Sequence, residues 1–189
     1  YYIMGNHDWE EGNNKDIFKS VIGQRTNQFI EIKGYPFITV SVDGSASDNQ
    51  RYIYQSTSQN FLRSALEKAS QEYPGKPIFV YMHVPLHNTV YGSYAIAPVT
   101  LTRSANTEAM KNICNSYPQA IIFSWHSHHP LGDERCIHQE KFTAIHDGNL
   151  TFTAVEDGLL PDGQYQFSKD LNITECCSVT VDNKNDVTF

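Results

Sequence analysis

No apolar run of membrane-spanning length occurs in these 189 residues, so no transmembrane helix is encoded here. Basic clusters are missing as well. Lys and Arg number 14 against 21 Asp and Glu, for a net charge of -7 with His neutral. That balance argues against a groove that tracks nucleic acid, which needs a concentrated basic surface. A small anionic substrate stays open, because bound metal ions can supply local positive charge. Cysteine is scarce: Cys114, Cys136, Cys176 and Cys177, with no C-x-x-C pair, which speaks against a structural zinc site. Cys176 and Cys177 either pair with Cys114 or Cys136 in an oxidising compartment or stay free thiols. No internal repeat and no low-complexity tract is present.

What remains is a length sufficient for one domain with a sizeable core, spanning 1–189, and a composition rich in Tyr and Phe. The chain opens on Tyr1-Tyr2-Ile3-Met4, which reads as the inside of a strand, so a fragment of a longer protein is expected. Asn149-Leu150-Thr151 and Asn172-Ile173-Thr174 match the glycosylation sequon and lean towards an extracellular or cell-surface setting.

Strand and helix patterns alternate. Ile17, Phe18, Val21 and Ile22 form a helical face ended by Gly23. Residues 29–33 and 37–42 read as a hairpin around Gly34-Tyr35-Pro36. An amphipathic helix begins near Ser58, with Phe61, Leu62, Ala65, Leu66 and Ala69 on one face, and Pro74-Gly75 closes it. Residues 77–82 are apolar on both faces, as a buried central strand requires. A long polar loop follows to about Ser104. Further expectations are a helix over 108–115, strands over 120–124, 142–145 and 150–155, and a terminal hairpin of 178–181 with 187–189.

Three sets of polar side chains stand at the ends of apolar runs. Gly5-Asn6-His7-Asp8 follows Tyr1–Met4, His83 follows Ile78–Met82, and His126-Ser127-His128 follows Ala120–Phe123. In open α/β sheets the carboxyl edge is where ligands bind. Imidazole and amide oxygen suit borderline metals such as Zn, Fe and Mn. On an extended backbone His126 and His128 would point the same way and Ser127 the other. His87, His129, His138 and His146 lack this support and are assigned structural or solvent-facing places.

The order and spacing of these blocks resemble the calcineurin-like metallophosphoesterase superfamily. Its pattern reads Asp-x-His, Gly-Asp-x-x-Asp, Gly-Asn-His-Asp/Glu, a lone His, then Gly-His-x-His; the last three blocks are present here and the first two are not. Trp125 stands where the family has Gly, so either the backbone there is ordinary or the site is reshaped. The resemblance implies an α/β fold of two packed mixed β-sheets flanked by helices, the αββα sandwich, lacking its first strands. It implies hydrolysis of a phosphomonoester or phosphodiester at a dinuclear site of two divalent or trivalent metal ions (Fe, Mn or Zn) in the full-length protein, with this chain alone inactive. Asn6, His83 and His126 would ligate one metal and His128 the other. His7 would face the substrate as the catalytic acid, and Asp8 would hold its ring. Tyr91, and Tyr94 beside it, are either packing residues or substrate contacts; Tyr91 is the substrate-binding candidate. Partners expected are a small phosphoester and no nucleic acid. The alternative is a metal-binding or cell-surface interaction module that has lost catalysis, with Trp125 as its mark. A nuclease of the same superfamily fits worst, for want of a basic surface.

Overall fold

The computed structural model describes residues 1–12, 15–44, 53–93, 106–150, 153–159, 165–170 and 174–189. It is a mixed α/β protein built on a six-stranded sheet of order β1-β2-β3-β4-β6-β5, with three two-stranded sheets beside it. The strands are β1 (Gln28–Ile32), β2 (Tyr35–Val40), β3 (Ile78–Met82), β4 (Ala120–Ser124), β5 (Ile137–Gln139) and β6 (Thr143–His146). β2, β3, β4 and β6 run parallel, and β1 and β5 pair antiparallel at the edges. The connections between parallel strands carry α2 (Ser56–Glu72) and α3 (Thr107–Cys114); α1 (Lys15–Ile22) precedes β1. The small sheets pair β7 (Gly148–Asn149) with β10 (Glu175–Cys176), β8 (Thr153–Leu159) with β9 (Tyr165–Asp170), and β11 (Thr180–Val181) with β12 (Val187–Thr188).

The β1–β2 hairpin turns on Lys33-Gly34, both at positive φ (51° and 80°). Two consecutive left-handed residues make the turn whose twist matches the flanking strands. The turn expected over Gly34-Tyr35-Pro36 is thus shifted: Tyr35 and Pro36 already pair with Ile32 and Glu31.

One face of the sheet packs on the helices. Ile38, Val40, Ile78, Val80, Met82, Ala120, Ile122 and Ala144 join Leu62, Leu66 and Ala69 of α2 and Met110 and Ile113 of α3 in one buried cluster. The periodicity of α2 therefore reads through directly into burial. In α1 it does not: Phe18 is buried, Ile22 packs against the core, and Ile17 and Val21 face outward. The opposite face of the sheet is aromatic. Phe37 stacks on Phe79 at 4.9 Å, and Tyr81 on Phe123 at 4.9 Å. Val179, Val181 and Val187 around β11 and β12 pack against this face. An apolar groove of about 390 Å³ over its other end touches Tyr2, Ile30, Phe37, Tyr81 and Trp125.

Tyr1–Met4 is not a strand. Its polar groups are met singly: Met4 N–H donates to Ser41 Oγ at 2.9 Å, and Val42 N–H reaches Met4 O at 3.4 Å. The expected strand over 150–155 begins at Thr153; residues 151–152 lie outside the described set, and Leu150 is in a bend. The terminal hairpin forms over 180–181 and 187–188. Within the long loop, 83–93 is described and turns back on itself, burying Val84, Leu86 and Val90; 94–105, with Tyr94, lies outside the described residues. Among the described residues no helix is long and apolar enough to cross a membrane. All four cysteines are free thiols, Cys114 and Cys136 being buried. Asn149 is buried and its amide donates to Thr153 Oγ1, so this sequon offers no accessible nitrogen in the fold; Asn172 lies outside the described residues.

Candidate functional site

β3 and β4 end side by side, and the chain leaving each carries an imidazole. The ladder continues one step past the strands: His83 O accepts from Trp125 N–H at 3.4 Å and from His126 N–H at 3.2 Å. The turn at Gly5-Asn6 brings a buried amide against them. His83 Nε2 lies 2.6 Å from Asn6 Oδ1 and 2.9 Å from His126 Nδ1. The two rings are 4.7 Å apart, centroid to centroid.

This contact is chemically unbalanced. Asn6 Oδ1 is an acceptor, and a neutral imidazole nitrogen is either a donor or an acceptor. His83 Nε2 faces two partners and makes a full hydrogen bond to one of them. Three polar atoms thus meet at one point with a proton for a single contact. A cation there satisfies all three, and two imidazoles with an amide oxygen are a donor set for Zn, Mn or Fe. Burial holds His83 well below the ordinary imidazole range, and the rings of His126, His7 and His128 push it the same way. Burial also brings His126 down, to about 4. Both are neutral at neutral pH, the state a ligating histidine needs. Among the described residues no group of three or more His, Cys, Asp or Glu side chains is arranged to hold a metal ion, so the convergent set is these three residues, Asn6 included.

His7, His83 and His128 line one cavity of about 520 Å³, with Trp125, Asp147, Asn149, Glu175 and Cys176 on its other walls. His128 reaches it by a route the sequence did not suggest. His126-Ser127 is a turn, closed by His128 N–H on Trp125 O at 3.1 Å, and His128 adopts a left-handed φ of 56°. Its carbonyl is held by Ala154 N–H at 2.6 Å. The expected alternation along an extended His126-Ser127-His128 is therefore absent. The unusual backbone of this turn sits at His128; Trp125 is not among the positive-φ residues. Left-handed non-glycine residues persist where the surroundings over-determine them, and they concentrate at functional sites. The Trp125 indole stands edge-on to His83 at 5.6 Å and walls both the cavity and the apolar groove.

Asp8 closes the first turn: its Oδ2 accepts from Gly5 N–H at 2.8 Å. Tyr91 does not line the cavity. Its ring stacks on His129 at 3.8 Å and lies under the Arg135 guanidinium at 3.7 Å. Ser127 is tied to the same layer through Oγ on Tyr91 O at 3.1 Å. His129, His87 and His146 are buried. Asp147 falls between the strands expected over 142–145 and 150–155. It lies on the cavity wall, and burial pushes its carboxyl up to about 7. The one signal for it in the sequence is an acid directly after β6, one position past His146.

No family model, no curated protein and no solved structure matches this chain.

Proposed function

We propose that the chain carries one half of a metal-dependent phosphoesterase site, on the C-terminal part of a metallophosphoesterase-like αββα sandwich. The observation that carries this reading is the meeting of Asn6 Oδ1, His83 Nε2 and His126 Nδ1 at the carboxyl edge of the parallel strands. These three residues would hold the ion, and His128, on the wall of the adjoining cavity, would hold a second one. Bound there, a borderline metal supplies positive charge to the phosphoryl oxygens and acidifies water.

The chain's own residues supply the rest. His7 lines the cavity and is the group to deliver a proton to the leaving oxygen. Asp8 fixes the turn that presents Asn6 and His7 on neighbouring positions. Trp125 closes one wall and limits the entry of water. The αββα frame is supported by the parallel strands and by the aromatic second face, which offers a surface for another layer.

Metal uptake tests the reading. Equilibrium dialysis against zinc and manganese should give about one bound ion per chain, lost on His83→Ala or His126→Ala and kept on His7→Ala. A first ligand should cost more than the roughly 10–100-fold that follows loss of an outer partner. Uptake indifferent to His83 and His126 removes the proposal.

A further inference from the structure

The loop that begins at His83 returns to the site at its other end. Over 83–93 it folds on itself: Thr89 N–H donates to Ser93 Oγ at 2.8 Å, Asn88 N–H to Ser93 O at 3.1 Å and Thr89 Oγ1 to Leu86 O at 2.6 Å. Its far end, Tyr91-Gly92, lies against the turn that carries His126 and His128. Ser127 Oγ donates to Tyr91 O, and the Tyr91 ring lies on His129 with 15° between the planes. Gly92 makes the close approach. A Cβ added there, at φ 80°, would stand 2.5 Å from both Ser127 Cβ and His129 Cδ2. Behind the Tyr91 ring, the Arg135 guanidinium is forked onto Asp133 at 2.9 and 2.6 Å. Tyr91 N–H donates to Arg135 O at 2.8 Å. Ala154 holds the same turn a second time, through its N–H on His128 O and its O at 2.9 Å from His129 Nδ1.

We propose that Tyr91 is a positioning residue of the metal site, clamping the His126-Ser127-His128 turn so that the His126 ring meets His83; this role rests on the metal reading of the same site. The turn needs a clamp. His128 sits at φ 56°, a conformation that a non-glycine residue keeps only where its surroundings over-determine it. Relaxing it changes the path of the chain through 126–129. The His126 ring stands 2.9 Å from His83 Nε2, and metal–ligand distances tolerate only about 0.2 Å. The Tyr91 ring suits the task. It is buried between an imidazole and a guanidinium, and both contacts favour one orientation of its face. One folded loop thus carries His83 at its start and holds the turn of His126 at its end. The two imidazoles are thereby tied to a single unit, although they come from different strands.

Zinc affinity of the 189-residue chain, read by competition with a chelating dye beside urea unfolding, tests this role. Tyr91→Leu keeps an apolar side chain and removes both ring contacts. Zinc should then bind about 10–100-fold more weakly, the cost of losing an outer partner. Tyr91→Phe keeps the ring and should bind as wild type does. If Tyr91 only packs, Tyr91→Leu lowers the urea midpoint and leaves the zinc affinity of the folded protein unchanged. That result overturns the proposal, as does an equal loss in Tyr91→Phe. Should Tyr91→Leu fail to fold, Ser127→Ala decides. It removes the bond to Tyr91 O and should weaken zinc binding about 2–10-fold; unchanged binding overturns the clamp. Normal zinc uptake by the wild type with an inert Tyr91 removes only this inference. A wild type that takes up no zinc removes the metal, and the clamp is then decided in the zinc-free protein by NMR. The His83 and His126 rings, 4.7 Å apart, should give a ring-to-ring NOE in wild type and Tyr91→Phe that disappears in Tyr91→Leu, or weakens in Ser127→Ala. An NOE absent from the wild type, or unchanged in these last variants, overturns the clamp.

Discussion

Gly5 lies flat against the His83 imidazole: a Cβ added at Gly5 would stand 2.8 Å from His83 Nδ1 and 2.9 Å from Cε1. Real Cβ contacts are essentially never that short, so either the ring or the turn must move. The ring is wedged between Asn6 and His126, and the turn is tied by Asp8, so neither moves without cost. Gly5→Ala should therefore weaken zinc binding and destabilise the fold by about 1–3 kcal/mol, the usual range for overpacking. Zinc titration with urea unfolding checks this. Unchanged affinity would mean that His83 is not held where its contacts place it.

His7 and His126 should fail differently in a protein that also carries the remaining ligands. His7→Ala should leave metal content nearly intact and slow turnover about 10²–10⁴-fold, less for a substrate with a good leaving group. His126→Ala should lower metal occupancy and rate together. Metal analysis beside steady-state kinetics on two leaving groups separates them. Metal loss in His7→Ala would move that residue into the ligand set. Equal slowing of both substrates would point to phosphoryl-charge stabilisation by His7.

His146 and Asp147 are neighbours that drive stability in opposite directions with pH. Burial lowers His146 from the ordinary imidazole value to about 3. The unfolded chain therefore takes up that proton more readily, and stability is lost as pH falls from about 6.5 towards 3. Asp147 is raised to about 7, so its contribution is present below the ordinary carboxyl value and lost as pH rises towards 7. Urea midpoints across this range should show His146→Gln flattening the acid limb. Asp147→Asn should be more stable than wild type near neutrality. Parallel curves for all three proteins would show that neither group is perturbed as described.

The sequence made β3, β4, α2 and the two hairpins legible because each carries its own periodicity or turn chemistry. Tyr1–Met4 misled, since an apolar run has no way to signal that its polar groups will be met by Gln24 Oε1, Ser41 Oγ and a backbone bond from Val42. In α1, periodicity named a face but not which part of it the sheet would cover; Val21 was left outside. At the site, residue types and order pointed to Asn6, His83 and His126. The geometry of His128 did not follow, because one left-handed residue undoes the alternation that two-residue spacing implies. The carboxyl of Asp147 was out of reach for a similar reason: its weight comes from burial, and burial is set by the third dimension.

The convergent point at His83 joins residues 77 and 43 positions away along the chain. The β1–β2 hairpin, closed by adjacent Lys33 and Gly34, is of the kind that forms in about 1–10 μs. The three donors cannot meet until both crossovers have been threaded through α2 and α3 and the parallel strands have docked in register. Long-range parallel pairing is the slow step of such folds. If the proposed ion is held at this point, its affinity is a clock for the last stage of folding: a chain half-way home has its first hairpin and nothing to bind with.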